Sequence, residues 1–588
     1  MSKMRWCYGL LAVLACAIAI VPSACSLEDF KTEEAARSPQ LVQSILSDPK
    51  TFNAALSQES PNVFSYIYEG LTTTNGLTAE VEPALAESWE ISDDNLTIIF
   101  TLREGLKWSD GEPLTADDVV FTYNDIYFNE AIPVPIRDVL RVGEKGELPK
   151  VEKIDDRRIR FTLPEPFSPI LRAMSAEILP EHALRSTVEK TDSQGDPEFN
   201  STWGTGTDPD EIIGNGMYVL NSYSPGQRVT FRRNPYYWRE GQPYIDRVVW
   251  QVVENQDTAL LQFRSGGLDA LSVAPQYFSL LKQEEERGNF TIYEDGPALG
   301  TTFMTFNLNT GRRPNGEPLV EPYKSKWFNT PEFRKAIAHA LDRNTMVNTI
   351  YRGLGEEQNS PISFQSPYYL SPKEGLPTYD YDPEKAKELL RSVGFEYNDR
   401  GELFDAEGNR VRFTLLTNAG NQIREALGAQ IKQDLSKIGI QVDFTPIAFS
   451  TLVDKLNKNL DWEAHLIGFT GGVDPAGQMT IWDVEGRLHS FNQEHPEYEL
   501  EGREVRDWER QIESLFVRGS QVFDEQERKE IYGEAQIVAQ ENLPFIYLVN
   551  PYSMGAVRDR VENVQYSAVG GGAFWNLYEL RLSEGEGE

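Results

Sequence analysis

Residues 411–444 constrain the fold more than any other stretch of the chain. In "VRFTLLT" the apolar side chains Val411, Phe413 and Leu415 alternate, which is the period of a half-buried strand. After the loop "NAGNQ", Ile423, Leu427, Ile431, Leu435 and Ile438 recur at helical spacing, and Gly439 supplies a natural C-terminal stop. "IQVDF" then alternates again through Ile440, Val442 and Phe444. Strand, helix and strand in this order form a βαβ unit, whose strands run parallel with a right-handed crossover. The pattern continues: Ser450 is placed to cap a helix running to Leu460, and "AHLIGF" reads as another strand, ending in "TGGVDP". Proline at the first helical position is expected in "NTPEF" and "YDPEK". Residues 300–545 are therefore expected to form an α/β lobe.

The first half carries its own signals. "LTIIFTL" alternates through Leu96, Ile98, Phe100 and Leu102. After the turn "SDGEP", Thr115 stands three residues before Asp118 and just ahead of "VVFTY", an arrangement that caps a helix starting near Ala116. A chain of 588 residues exceeds the size at which one core stops growing, so at least two domains are expected. The tail "SEGEGE" has the composition of a disordered segment.

The three cysteines, Cys7, Cys16 and Cys25, all fall in the first 25 residues. There Lys3 and Arg5 precede an apolar run from Trp6 to Val21, followed by the small residues Ser23 and Ala24, the layout of a secretion signal. The run is short for a membrane span and leads directly into the charged "SLEDFKTEEAAR". Beyond Cys25 there is no thiol for a disulfide or a thiolate metal site. Cys25 is expected to be the first mature residue and the point of lipid attachment. Cys16 in "VLAC" also fits locally, but cutting there would leave "AIAIVPSAC" exposed. Loss of Lys3 and Arg5 takes the formal charge from −35 to −37. So acidic a surface disfavours nucleic acid and anionic lipid headgroups.

No P-loop, dinucleotide fingerprint, nucleophile elbow or HExxH motif occurs, and nothing in the sequence argues for an enzyme or a cofactor. Of the five histidines only His489 and His495 are close in sequence, and they are expected on a polar surface rather than at a metal. In open parallel sheets ligands sit beyond the carboxyl ends of the strands. That rule selects residues 417–421 and 470–474. In them Asn418 and Asn421 offer amide groups, Gly471 and Gly472 offer backbone N–H groups, and Asp474 serves as either loop strut or ligand contact. Trp482 offers a stacking face, or else packs in the core.

The segment 82–126, with "ALAESW", "LREGLKWSDGEPLTADDV" and the strand between them, resembles family 5 of the bacterial extracellular solute-binding proteins. These are the oligopeptide- and dipeptide-binding lipoproteins of ABC importers. Segments 214–250, 333–347 and 527–551 resemble the same family in the same order. The resemblance implies an α/β, two-lobed periplasmic-binding-protein-like clamp of type II, of the large class with an extra subdomain. It divides the chain into a lipoprotein signal (1–25), lobe I with its inserted subdomain (26–297), lobe II (298–547) and a return to lobe I with the acidic tail (548–588). The chain would cross between lobes at 293–308 and 543–554. It further implies a monomer outside the cytoplasmic membrane, held there through Cys25. Such a protein closes on a small solute, an oligopeptide before an oligosaccharide or nickel chelate, and delivers it to an ABC permease. A receptor-type binding protein without a transport partner is the other implied reading. In peptide binders of the family an aspartate in the loop equivalent to 469–475 pairs with the ligand's amino terminus; here Gly471 or Gly472 takes that place, and the loop is one residue shorter.

Overall fold

The computed structural model describes residues 40–57, 62–143 and 145–583. Cys25, the signal segment and all of the acidic tail after Ser583 lie outside the described residues. Among the described residues no helix is long and apolar enough to cross a membrane.

The first lobe is built on antiparallel pairing. Strands Ala86–Ile91, Thr97–Leu102, Arg158–Thr162 and Lys150–Lys153 form one sheet in that order. Ile98, Phe100 and Leu102 face inward, as the alternation requires, while the residues between them stay half-exposed. Thr115 caps the helix Ala116–Phe121 in a complete capping box: its side chain accepts a backbone N–H, and Asp118 returns a bond to the Thr115 N–H. A second sheet runs Gln40–Ile45, Arg247–Val252, Arg228–Arg233, Tyr218–Ser224, with only its first pair parallel. Both sheets share one apolar core with Val557, Val561, Leu577 and Leu580 from the far end of the chain.

The second lobe holds a five-stranded sheet ordered Gln441–Ile447, Arg412–Asn418, Ala464–Phe469, Thr301–Phe306, Phe545–Tyr547. The βαβ unit is present: Arg412–Asn418 pairs parallel with Gln441–Ile447 and, at its other edge, with Ala464–Phe469. The connecting helix Gln422–Lys437 buries Leu427, Ile431 and Leu435, each contributing about 1.5–3 kcal/mol of transfer free energy. Gly428 lets this helix approach the sheet, because a Cβ there would stand 2.1 Å from the Phe444 ring. Helices Pro331–Ala340 and Pro383–Ser392 begin on their prolines. The next helix differs from expectation. It spans Phe449–Asn457 with Ala448 at its N-cap, so Ser450 lies inside its first turn and caps nothing. The turn that leaves strand Gln441–Ile447 sets where this helix starts, without help from a side-chain acceptor.

Two strand segments join the lobes. Phe290–Pro297 leads into Thr301–Phe306, and Phe545–Tyr547 leads back into Val549–Arg558, which lies between Ala270–Ser272 and Phe290–Pro297. The fully buried Asn550 clamps them together: its amide donates to Ala298 O at 2.9 Å and Gly300 O at 3.1 Å. Ala298 N also donates to Pro551 O, and Leu548 N to Thr302 O, both at 2.9 Å.

Candidate ligand cleft between the lobes

Residues 419–421 and 470–474 follow the carboxyl ends of two adjacent parallel strands, Arg412–Asn418 and Ala464–Phe469, so both face the gap between the lobes. The lobes touch across this gap. Gln422 Nε2 donates to Asp257 Oδ2 at 3.1 Å, and Ser168 N to Ser520 O at 2.7 Å. Between such contacts a cavity of about 620 Å³ is lined by Ser272 and Tyr277 of the first lobe, Tyr351, Asn421 and Arg424 of the second, and Tyr552 of the returning strand. This volume falls in the range that takes a small organic ligand. A smaller cavity of about 180 Å³ lies against Phe469, Gly471, Gly472, Trp482 and Tyr547.

The predicted contacts divide by what their polar atoms already do. Asn421 is the N-cap of the βαβ helix, with its side-chain oxygen accepting from Arg424 N at 3.0 Å, and it also lines the larger cavity. Asn418 Oδ1 accepts from Arg424 Nη1 at 2.8 Å. Gly471 and Gly472 line the smaller cavity but differ in their backbone requirements. Gly471 has φ +72°, and a Cβ on it would stand 1.9 Å from Leu299 O, so its glycine permits the loop to lie against the crossing segment. Gly472 has open space around it. Asp474 is engaged within the protein: it caps the short helix at Pro475 through Ala476 N, and both its oxygens receive Arg528 Nη2 at 2.9 and 3.1 Å. Trp482 is 1 % exposed, stacked on Phe516 at 5.7 Å and edge-on to Phe545 at 5.8 Å; its ring belongs to the core, with one edge at the cavity.

The residue that sequence reasoning missed is Arg424. Burial depresses its pKa, although the nearby Tyr351 hydroxyl acts in the opposite sense. Among the described residues it has no carboxylate within ion-pair distance, while this acid-rich chain pairs many of its other basic groups. Partly burying a charge whose side-chain hydrogen bond goes to the neutral Asn418 amide and to no countercharge is costly, so the arrangement favours an anionic group arriving from the cavity. Arg424 stands at the third position of a helix, where the positive end of the dipole disfavours a cation, and that conflict was a usable signal. Behind it His465, against Trp462 and Phe303, is held neutral: burial and the Arg424 charge push its pKa down to about 3.

The two neighbouring histidines do not share a site. His489 is buried rather than on the surface, because Glu509 and Ile481 O occupy its two ring nitrogens at 3.0 Å each. His495 stacks on Tyr498 instead. Among the described residues no cluster of three or more His, Cys, Asp or Glu is arranged to hold a metal ion.

The sequence profile of the bacterial extracellular solute-binding proteins, family 5 (middle region), matches residues 80–487. A probable ABC transporter-binding protein of Deinococcus radiodurans is 29 % identical over 548 residues, covering 88 % of both chains. The oligopeptide-binding protein AppA of Bacillus subtilis is 27 % identical over 587 residues, covering 96 % of this chain and 97 % of its own. The solved structure of that AppA in complex with a nonapeptide superposes with a TM-score of 0.75 at 25 % identity, over 92 % of this chain and 99 % of the other. The periplasmic binding protein MelB of Agrobacterium fabrum, solved with stachyose, shares the fold at a TM-score of 0.77 and 22 % identity, over 93 % and 86 % of the two chains. With this profile running through its two-lobed α/β architecture, the chain belongs to the bacterial extracellular solute-binding proteins of family 5.

Proposed function

We propose that the protein is the extracytoplasmic binding component of an ABC importer, capturing a peptide or peptide-like solute between its lobes and presenting it to a permease. The observation that carries this reading is the cavity of about 620 Å³ with Arg424 at its wall, bonded to the neutral Asn418 amide and, among the described residues, to no carboxylate. A half-buried guanidinium suits a solute carboxylate, since the two form charge-assisted, bidentate hydrogen bonds. The similarity to AppA along nearly the whole chain supports a peptide over other solutes.

In this reading lobe I spans 26–297 and resumes at 548–588, and lobe II spans 298–547. They rotate about the two crossing segments, and closure excludes water from the bound solute without making or breaking a bond. The protein acts as a monomer, anchored through Cys25 after removal of residues 1–24. Mass spectrometry of protein purified gently and then denatured tests the solute class; a peptide is expected, and a sugar or metal chelate would overturn it. Cys25→Ser is expected to release the protein from membranes. Retention of Cys25→Ser together with release of Cys16→Ser would move the anchor to Cys16.

A non-peptide solute, such as an oligosaccharide or a nickel chelate, is the second reading. What favours it is that Gly471 and Gly472 carry no carboxylate and that Asp474 is held by Arg528.

A further inference from the structure

Ser168 reaches across the gap twice, donating to Ser520 O from N at 2.7 Å and from Oγ at 3.1 Å, and beside it Gln521 Nε2 donates to Glu165 Oε2. Helix Ile136–Leu140 of the first lobe packs there on Met479–Trp482 of the second. Between these contacts lies a cavity of about 590 Å³, separate from the one at Arg424. Asp138 and Phe167 of the first lobe line it, with Asp483, Glu513 and Ser520 of the second. Three carboxylates, one from the first lobe and two from the second, therefore converge where the lobes close.

Helix Asp507–Gln521 carries two acids one turn apart that are treated in opposite ways. Glu509 is buried against its countercharge, Arg506, at 2.7 Å. Glu513 is half-buried, accepts from Val484 N at 3.3 Å, and has its carboxyl within hydrogen-bond reach of Asp483. Asp483 accepts from Glu485 N at 2.8 Å. Arg141, Lys145 and Arg510 share the cavity wall, and Arg137 and Arg487 act on Asp138. Among the described residues none of these cations stands within ion-pair distance of Asp138, Asp483 or Glu513. Glu485 adds another acid to the wall, and Glu165 stands over Gly143 at its edge. Burial pushes the Glu513 pKa up to about 6, helped by Asp483 and opposed by the Val484 N–H and Arg510. Burial raises Asp138 as well, with Asp483 adding to the effect and Arg487, Arg141 and Arg137 opposing it. No histidine lines this cavity.

We infer that the Asp483–Glu513 pair, closed over by Asp138, is a proton-operated latch: bringing the lobes together takes up a proton here, so acidification favours the closed form. The inference rests on the lobe rotation described above and not on the identity of the solute. When the lobes part, the wall bearing Asp138 and Phe167 withdraws, and water reaches both carboxyls of the second lobe. Closing strips that water and brings a third negative charge toward them, so a protonated Glu513 donating to Asp483 is the form that fits. The closed form holds this proton up to about 6, whereas the rehydrated open form holds it to nearer the ordinary 4.5. The gain in closure is therefore complete below the open-form value and is lost as pH rises through about 6.

Distances between spin labels on opposite lobes test this in the ligand-free protein, produced without its signal segment. With Cys25→Ser no native thiol remains. Labels then go on two exposed helix positions, Ser186→Cys in the first lobe and Ser436→Cys in the second. Pulsed double electron–electron resonance is expected to resolve an open and a closed distance. The closed-to-open ratio should be about threefold or more higher near pH 5 than near pH 7.5. Glu513→Gln, which has no proton to give up, is expected to show one ratio at both pH values. Asp483→Asn, which removes the neighbouring charge, is expected to hold the change below about twofold, and it keeps the test decisive should Glu513→Gln not fold. A wild-type ratio that ignores pH, or a threefold change that survives in either folded variant, overturns the latch and leaves lobe rotation standing. A single unchanging distance overturns both.

Discussion

Replacing Arg528 with methionine isolates the ion pair that holds the 470–474 loop. Arg528 donates from Nη2 to both oxygens of Asp474, from Nε to Gly519 O at 3.0 Å, and from Nη1 to Tyr368 Oη at 2.6 Å, with its guanidinium 4.7 Å above the Tyr368 ring. The side chains are 8 % and 11 % exposed, so water screens the pair little. Methionine keeps the apolar stem but leaves the Asp474 carboxylate buried without its countercharge, a loss of about 3–5 kcal/mol. Asp474→Asn keeps an acceptor for Ala476 N but strands the guanidinium, costing about 1.5–3 kcal/mol. Each single change leaves an unpaired charge that the double variant lacks, so the double is expected to cost about 2 kcal/mol less than the sum. Urea unfolding of the four proteins at neutral pH, followed by far-UV circular dichroism, measures the coupling. Additivity to within about 0.5 kcal/mol would refute the view that Asp474 is chiefly a strut.

Two further outcomes are expected. Gly471→Ala should destabilise the protein by about 2–4 kcal/mol in thermal unfolding, because it combines a positive φ with a Cβ 1.9 Å from Leu299 O, whereas Gly472→Ala should fall within about 0.5 kcal/mol of wild type. Glu509 is held down to about 2, from an ordinary 4.5: burial alone would raise it, but hydrogen bonds from His489, Asn492 and Arg506 and the Arg506 charge outweigh that. A depressed carboxylate gives stability that is present above the unfolded-state value and is lost as pH falls from about 4.5 through about 2. On the order of 3 kcal/mol should therefore disappear over that window in wild type and not in Glu509→Gln, as followed by denaturant midpoints against pH.

What was legible in the sequence was whatever local spacing determines. The alternation at 97–102, the Thr115 capping box, the proline-started helices and the 412–447 βαβ unit rest on periods of 2 and 3.6 and on caps that need only neighbours in sequence. Ser450 failed as a cap because the end of the preceding strand, not the availability of a hydroxyl, decided where the helix began. The loops flanking the cleft followed from the strand-end rule, yet the chemistry within them did not. Asn418, Asn421 and Asp474 were singled out as polar groups in the right place, but whether a polar atom is free depends on partners far along the chain, such as Arg528 for Asp474. Arg424 was overlooked because a single charge reads as solvated until packing removes its water. Its signal was present: a cation in the first turn of a helix.

The two crossing strands also set the order in which the molecule can be completed. The second core draws on residues 303–549, one unbroken stretch. The first cannot close until Val557, Val561, Leu577 and Leu580 have been added, and Val549–Arg558 supplies the strand between Ala270–Ser272 and Phe290–Pro297 in its adjoining sheet. A chain emerging amino end first therefore carries an open, apolar first lobe past a finished second one, and its longest-lived partly folded form exposes residues 41–290 rather than 303–549. Truncation after residue 549 should reproduce that species: a folded second lobe attached to a first lobe open to proteolysis.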